Sequence, residues 1–282
     1  MRFDSSRRAA VVLLVSLLAP PAVRAQFSYD VPYVPTPHVV VEEMLRLAKV
    51  GPDDFVIDLG SGDGRIAIAA AKMFGARAVG VDLDPERIGE SVANALAAGV
   101  AARVAFYRQD LFRFEIGQAT VVTMYLLPSV NLRLRPRLLQ ELKPGTRIVS
   151  HDFDLEDWRP DRKSTVRKNV FMWVVPAQVG GRWRTTLALP AGARNYEIEI
   201  TQKFQEIDGL VRYGKKVAGL WNATLEGDRV SFVIVDDSGP VETNLYCEGR
   251  VAGEAIEGVI RRGIGSDEQR IKWRATRVAP AG

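Results

Sequence analysis

Three acids and three glycines set the chemistry open to this chain. Val56-Ile57-Asp58-Leu59-Gly60-Ser61-Gly62-Asp63-Gly64-Arg65 ends an apolar run in alternating glycines, and Gly80-Val81-Asp82-Leu83-Asp84-Pro85-Glu86 delivers Asp82 24 positions after Asp58. Glycines at 60, 62 and 64 permit a tight turn and let a ligand touch backbone where a Cβ would otherwise stand. An acid closing the second apolar run can accept both hydroxyls of a ribose, which selects an adenosine-type ligand. A dinucleotide fingerprint would need its third glycine at 65, which is Arg65. The pattern is instead Asp-x-Gly-x-Gly-x-Gly, with a second acid, Asp63, inside the turn. Acids suit a ligand that carries an ammonium and a sulfonium. They suit a pyrophosphate badly, because like charges would meet at close range.

These residues need strands and helices to hold them. Phe55 to Leu59 reads as a buried strand, Ile66 to Phe74 as a helix and Ala78 to Val81 as a second strand, which is half of a nucleotide-binding α/β fold. Upstream, Pro32, Pro35 and Pro37 stiffen an extended arm carrying Tyr33 and Thr36. That arm suits closure over a cofactor as well as simple attachment of the chain to the domain. A helix follows, with Val39, Val40, Met44, Leu45 and Leu47 as its apolar face. Pro85-Glu86-Arg87 opens another helix that runs to about Ala98, before Gly99. Val104 to Tyr107 is a third strand leading to Asp110 and Leu111, and Ala119 to Leu127 a fourth, apolar as a central parallel strand should be. Its carboxyl end carries Tyr125, where open α/β sheets bind ligands. A fifth strand, Arg147 to Phe153, carries His151, which could serve as a general base or only pack. Trp158 and a strand from Val170 to Val175 close the domain.

Loop and acids together resemble the S-adenosylmethionine (SAM) site of class I, seven-stranded methyltransferases. Pro32-Tyr33-Val34-Pro35-Thr36-Pro37, Tyr125-Leu126-Leu127-Pro128-Ser129-Val130-Asn131 and Leu142-Lys143-Pro144-Gly145-Thr146-Arg147 narrow the likeness. Over about residues 30–176 the chain is similar to archaeal broad-specificity protein-lysine methyltransferases and to mitochondrial lysine methyltransferases acting on the ATP-synthase c-subunit. The resemblance implies a Rossmann-like domain with SAM as cofactor and protein lysine ε-amines as acceptors. It implies that Asp58, Gly60, Gly62 and Asp63 hold the methionine end and Asp82 the ribose, with Ser61 and Leu83 also among the cofactor-binding residues. Asp110 would receive the adenine amino group beside Leu111, the other reading of Asp110 being a turn-capping acid. Tyr33, Thr36 and Tyr125 would line the transfer channel as the candidate catalytic residues. Adenine-amino methyltransferases carry an Asn/Asp-Pro-Pro-aromatic motif where this chain has Tyr125-Leu126-Leu127-Pro128, which counts against a nucleobase acceptor.

Composition bounds the rest. The chain has 282 residues, 47% of them hydrophobic, enough for one large or two medium domains. Its net charge of +4 owes much to residues 1–25, which hold Arg2, Arg7, Arg8 and Arg24 against Asp4. Beyond them stand 34 basic and 33 acidic residues, which offers no electrostatic case for nucleic acid. A single cysteine, Cys247, excludes an internal disulfide, and with only His38 and His151 no metal site is expected. Residues 1–25 read as a cleaved export signal: a basic start, an apolar run from Ala9 to Ala19, and small residues at 23 and 25. A periplasmic chain without stable membrane insertion follows as the expectation, a retained membrane anchor being the alternative.

The domains expected are thus the signal at 1–25, the α/β domain at 26–178 and an all-β domain at 179–282. The last shows alternating strands, such as Tyr196 to Ile200 and Val230 to Ile234, with turns at Gly227-Asp228, Asp237-Ser238-Gly239 and Gly263-Ile264-Gly265. It reads as a barrel or sandwich, loosely similar to lipocalin-like modules. Trp183, Trp221 and Trp273 read as its core aromatics, or else as a binding platform. Two further functions stay open: a small-molecule methyltransferase on the same fold, and an exported binding or scaffold protein without turnover.

Overall fold

The computed structural model describes residues 33–189, 192–237, 242–263 and 268–278. The expected export signal, the start of the proline arm through Pro32 and the turn residues 238–239 and 264–265 lie outside them. Helix α1 (His38–Leu47) opens the described chain. Strand and helix then alternate: β1 (Phe55–Leu59), α2 (Arg65–Phe74), β2 (Arg77–Asp82), α3 (Pro85–Ala97), β3 (Val104–Arg108), β4 (Val121–Met124), α4 (Pro128–Glu141) and β5 (Arg147–His151). A hairpin of β6 (Arg162–Val166) and β7 (Lys168–Val174) completes the first sheet. Its strand order is β3-β2-β1-β4-β5-β7-β6, parallel from β3 to β5, with β7 antiparallel to β5.

The central strands are buried on both faces, so their sequences are near-continuous apolar runs rather than alternating ones, broken only by Asp58 and Thr123, which bond to each other. Glycines frame α2: Gly64 at its start and Gly75 at its end both take left-handed φ, of 80° and 71°. Asp84 caps α3 by accepting from the Glu86 N–H at 2.8 Å, with Pro85 in the first turn. Because β1 and β2 flank one another in register, with Asp58 opposite Gly80, the glycine turn and Asp82 emerge side by side at the carboxyl edge.

Three details of the sequence reading change. The buried face of α1 is Val40, Val41, Met44 and Leu45, while Val39 is exposed, because a 3.6-residue period groups 40 and 41 with 44 and 45. The apolar run Ala119 to Leu127 supplies only four strand residues. Tyr125 to Leu127 leave the ladder to enter α4, whose first residue, Pro128, has no N–H to give. Strand β6 escapes a hydrophobicity reading because it is a polar edge strand.

The second sheet is antiparallel and barrel-like. It comprises β8 (Gly181–Leu189), β9 (Gly192–Lys203), β10 (Glu206–Tyr213), β11 (Lys216–Gly219), β12 (Trp221–Glu226), β13 (Arg229–Asp236), β14 (Thr243–Ala252), β15 (Ala255–Arg262) and β16 (Gln269–Arg277). The strand order is β11-β10-β9-β8-β16-β15-β14-β13-β12. Its two edge strands, β11 and β12, are consecutive and joined through Leu220, so the ribbon nearly closes on itself. Trp183 and Trp273 are core aromatics, whereas Trp221 is 61% exposed because it pairs with the outward-facing Val233. The barrel seats its β12–β13 turn on the first sheet at the end away from Asp58. There the Ala177 N–H donates to the Gly227 carbonyl at 2.8 Å, and a Cβ on Gly227 would stand 3.0 Å from the Gly145 Cα. A second contact stacks Phe204 on Trp158, centroids 5.5 Å apart, and Trp158 Nε1 donates to Gln205 Oε1 at 2.9 Å.

Candidate active site

At the carboxyl edge of β1, β2, β3 and β4 the chain encloses a cavity of about 630 Å³. All twelve residues singled out from the sequence border it: Tyr33, Thr36, Asp58, Gly60, Ser61, Gly62, Asp63, Asp82, Leu83, Asp110, Leu111 and Tyr125. No described residue of the barrel does. His151 also lies outside its wall, directly behind Tyr125.

The floor is acidic. Asp58 is 1% exposed, and its Oδ1 accepts from Thr123 Oγ1 at 2.7 Å. Among the described residues its Oδ2 has no partner, and neither has the buried Ser61 Oγ. Burial pushes the Asp58 carboxyl up to about 7; the Thr123 bond opposes this and the charges of Asp82 and Asp63 add to it. A buried carboxylate oxygen without a donor is costly, and a ligand ammonium would supply the missing donor. Asp82 is held by backbone, accepting from the Gly62 N–H and the Asp84 N–H at 2.9 Å each. Each of its oxygens keeps capacity for a hydroxyl donor. Gly62 has φ +53°, and a Cβ there would stand 2.6 Å from the Tyr33 ring, so only glycine lets the arm close on the turn.

One task differs from the sequence reading in kind. Asp63 is engaged by Arg65, whose Nε donates to Oδ1 at 2.9 Å and whose Nη2 donates to Oδ2 at 2.5 Å. Burial draws the Asp63 carboxyl up, but the Arg65 guanidinium outweighs it and holds the group below its ordinary range. Arg65 Nη1 also donates to the Thr36 carbonyl at 2.8 Å, tying the arm to the start of α2. The Arg87 guanidinium lies 4.7 Å from the Tyr33 ring centroid. Burial, with the Asp63 charge next to it, holds the Tyr33 phenol above its ordinary range. Arg65 and Arg87 therefore belong to the site. In the sequence Arg65 registers only as a missing glycine, and Arg87 only as part of a helix start.

Asp110 fills the turn-capping role and also stands on the cavity wall. Its Oδ1 accepts from the Phe112 N–H at 2.9 Å, a turn cap, while the residue also borders the cavity with Leu111. At the opposite end the wall is aromatic. Tyr125 lies on His151 with centroids 3.9 Å apart and stacks near Phe153 at 6.2 Å. Thr36 is buried and shares a hydrogen bond of 3.1 Å between its Oγ1 and His151 Nδ1. Burial depresses the His151 imidazole, with Asp152 opposing and Lys168 assisting, so the ring is neutral near pH 7. Asn131 is buried in α4 and points its amide at Ser150 Oγ and the carbonyls of 153 and 154, a packing role.

The chain is similar to known proteins over about half its length. The family model described as the ANTKMT methyltransferase domain matches residues 58–162. A protein-lysine N-methyltransferase of Saccharolobus islandicus (strain REY15A) is 54% identical over 131 residues, 46% of this chain and 81% of that protein. The adenine nucleotide translocase lysine N-methyltransferase of Mus musculus is 38% identical over 144 residues, 51% of this chain and 62% of that protein, so the chain spans less than two thirds of this relative. Among solved structures, an RNA methyltransferase from Salinibacter ruber in complex with S-adenosyl-L-homocysteine superposes with a TM-score of 0.51 at 52% identity, over 52% of this chain and 96% of that one.

Proposed function

Since the chain belongs to the family of SAM-dependent protein-lysine methyltransferases, we propose that it methylates lysine ε-amines of proteins. The observation that carries this reading is the polarity of the cavity. One end offers the unpartnered Asp58 Oδ2 and the backbone-held Asp82, and the other is walled by Thr36, Tyr125 and Phe153. When bound, SAM supplies a methyl group already activated by its sulfonium. The residues present fit it: Asp58 suits its ammonium, Asp82 its ribose hydroxyls and Asp110 with Leu111 its adenine.

The remaining work falls to the acceptor end. A lysine must arrive as the neutral amine, and passage along the aromatic wall of Tyr125 and Phe153 favours that form by desolvating the ammonium. Alignment and exclusion of water then supply most of what the step needs, with no dedicated base. Residues 26–282 carry 34 basic and 33 acidic side chains, which supports a protein rather than a polyanionic acceptor. The proposal extends to the compartment. Residues 1–25 direct export, cleavage follows Ala25, and the remaining chain acts on envelope proteins. Its barrel, held away from the cavity, serves as a docking module there.

Incubation with methyl-labelled SAM and three acceptor classes tests the activity: an unfolded lysine-rich protein, total RNA and a small-molecule metabolite extract. Label in lysine supports the proposal. Label confined to RNA or to small molecules refutes it. For the compartment, amino-terminal sequencing of chain recovered from the envelope should begin at Gln26, and recovery of intact Met1 only from the cytoplasm would refute export.

A further inference from the structure

His151 is a buried histidine that the proposed chemistry leaves without a task. It is 1% exposed, and its Nε2 has no hydrogen-bond partner among the described residues. A phenylalanine or leucine would fill the same volume with no orphaned nitrogen. What the imidazole adds is on its other side, where Nδ1 meets Thr36 Oγ1 at 3.1 Å, and on its face, where Tyr125 lies at 3.9 Å. The two partners come from opposite parts of the chain: Thr36 lies in the proline arm ahead of α1, and Tyr125 leaves β4 on the way to α4. Both border the cavity, and His151, at the end of β5, does not.

The geometry points to His151 as a positioning residue that clamps the arm to the aromatic wall, fixing Thr36 and Tyr125 together at the acceptor end. It rests on the reading of that end as the transfer channel. His151 is poorly placed to take a proton from an incoming amine itself, because Nδ1 is taken up by Thr36 and Nε2 is buried. The arm has a second tether, from Arg65 Nη1 to the Thr36 carbonyl, so residue 36 is gripped by backbone at the cofactor side and by side chain at the acceptor side. Loss of the side-chain grip should therefore loosen the acceptor end while the cofactor end stays bound.

The test uses the full chain and four variants: Thr36→Val, Thr36→Ser, His151→Phe and the double variant Thr36→Val with His151→Phe. His151→Phe keeps a flat ring under Tyr125 and removes the bond. Three quantities are read: deuterium exchange in peptides covering residues 33–37, affinity for S-adenosylhomocysteine by calorimetry, and kcat on an unfolded lysine-rich protein. In Thr36→Val and in His151→Phe we expect exchange to rise at least about fivefold and kcat to fall about tenfold, with affinity within about threefold of wild type. The double variant should be no worse than either single one, and Thr36→Ser should recover most of the loss. Additive losses, or exchange and kcat at wild-type levels in a folded single variant, overturn the clamp. If His151→Phe does not fold, Thr36→Val and Thr36→Ser decide the matter. If wild-type chain methylates no lysine, the activity reading fails, and the exchange measurement alone still decides for or against the clamp.

Discussion

Asp58 gives the sharpest handle on cofactor binding. Its carboxyl is pushed up to about 7 by burial, and Oδ2 lacks a donor, so the free chain holds this group half-protonated near neutrality. A cofactor ammonium pairs only with the ionised form, and binding at lower pH must first remove the proton. With a value of about 7, roughly 3% of the group is ionised at about pH 5.5 and roughly 75% at about pH 7.5. The apparent affinity for S-adenosylhomocysteine should therefore rise about twenty-five-fold across that interval, which lies below the α-amino range of about 8. Calorimetry in two buffers of different ionisation enthalpy reads both the affinity and the proton released on binding. Asp58→Asn should bind weakly and lose the pH slope. A flat profile in wild-type chain, or one that falls toward pH 7.5, would refute the pairing of Asp58 with the ammonium.

The same shift bears on stability. The folded value lies above the unfolded 3.8, so the contribution of Asp58 is most favourable below about 4 and is lost as pH rises through 7, by up to about 4 kcal/mol. Unliganded Asp58→Asn should accordingly melt higher than wild type at about pH 8, and a lower melting temperature there would contradict the buried charge. Gly62→Ala places a Cβ at φ +53° against Tyr33, costing about 1–2 kcal/mol and weakening cofactor binding; thermal melting and calorimetry would show it, and an unaltered arm and affinity would count against the close approach. Arg65→Leu removes the guanidinium from Asp63 and cuts one arm tether, so affinity should fall about tenfold, or ~1.4 kcal/mol. Phe204→Ala removes the ring stacked on Trp158 and should lower stability by about 1–3 kcal/mol. Cofactor affinity in that variant should stay within about twofold, since no described barrel residue reaches the cavity; a larger loss would couple the two domains.

Much of the cofactor end was legible because backbone conformation dictates residue type there. Left-handed φ at 60, 62 and 64 calls for glycine, and the strand ends place Asp58 and Asp82 on one edge. The acceptor end was only partly legible. Tyr33, Thr36 and Tyr125 could be named from motif and strand position, but the bond from Thr36 to His151 spans 115 residues and leaves no local pattern. Arg65 and Asp63 are two apart, yet their pairing depends on which way the turn points both side chains. In the barrel, alternation identified strands and not their outward members, so Trp221 looked like core until its pairing with Val233 placed it outside.

The central claim is that a lysine ε-amine receives the methyl group in the channel beside Tyr125. A single-turnover reaction of excess enzyme with labelled SAM and a peptide of one lysine, followed by tandem mass spectrometry, tests it most directly. Methyl increments on the lysine side chain, absent from the matching lysine-to-arginine peptide, are the expected result. A peptide left unmodified while the same enzyme binds SAM, or methyl groups on any residue but lysine, would contradict the account.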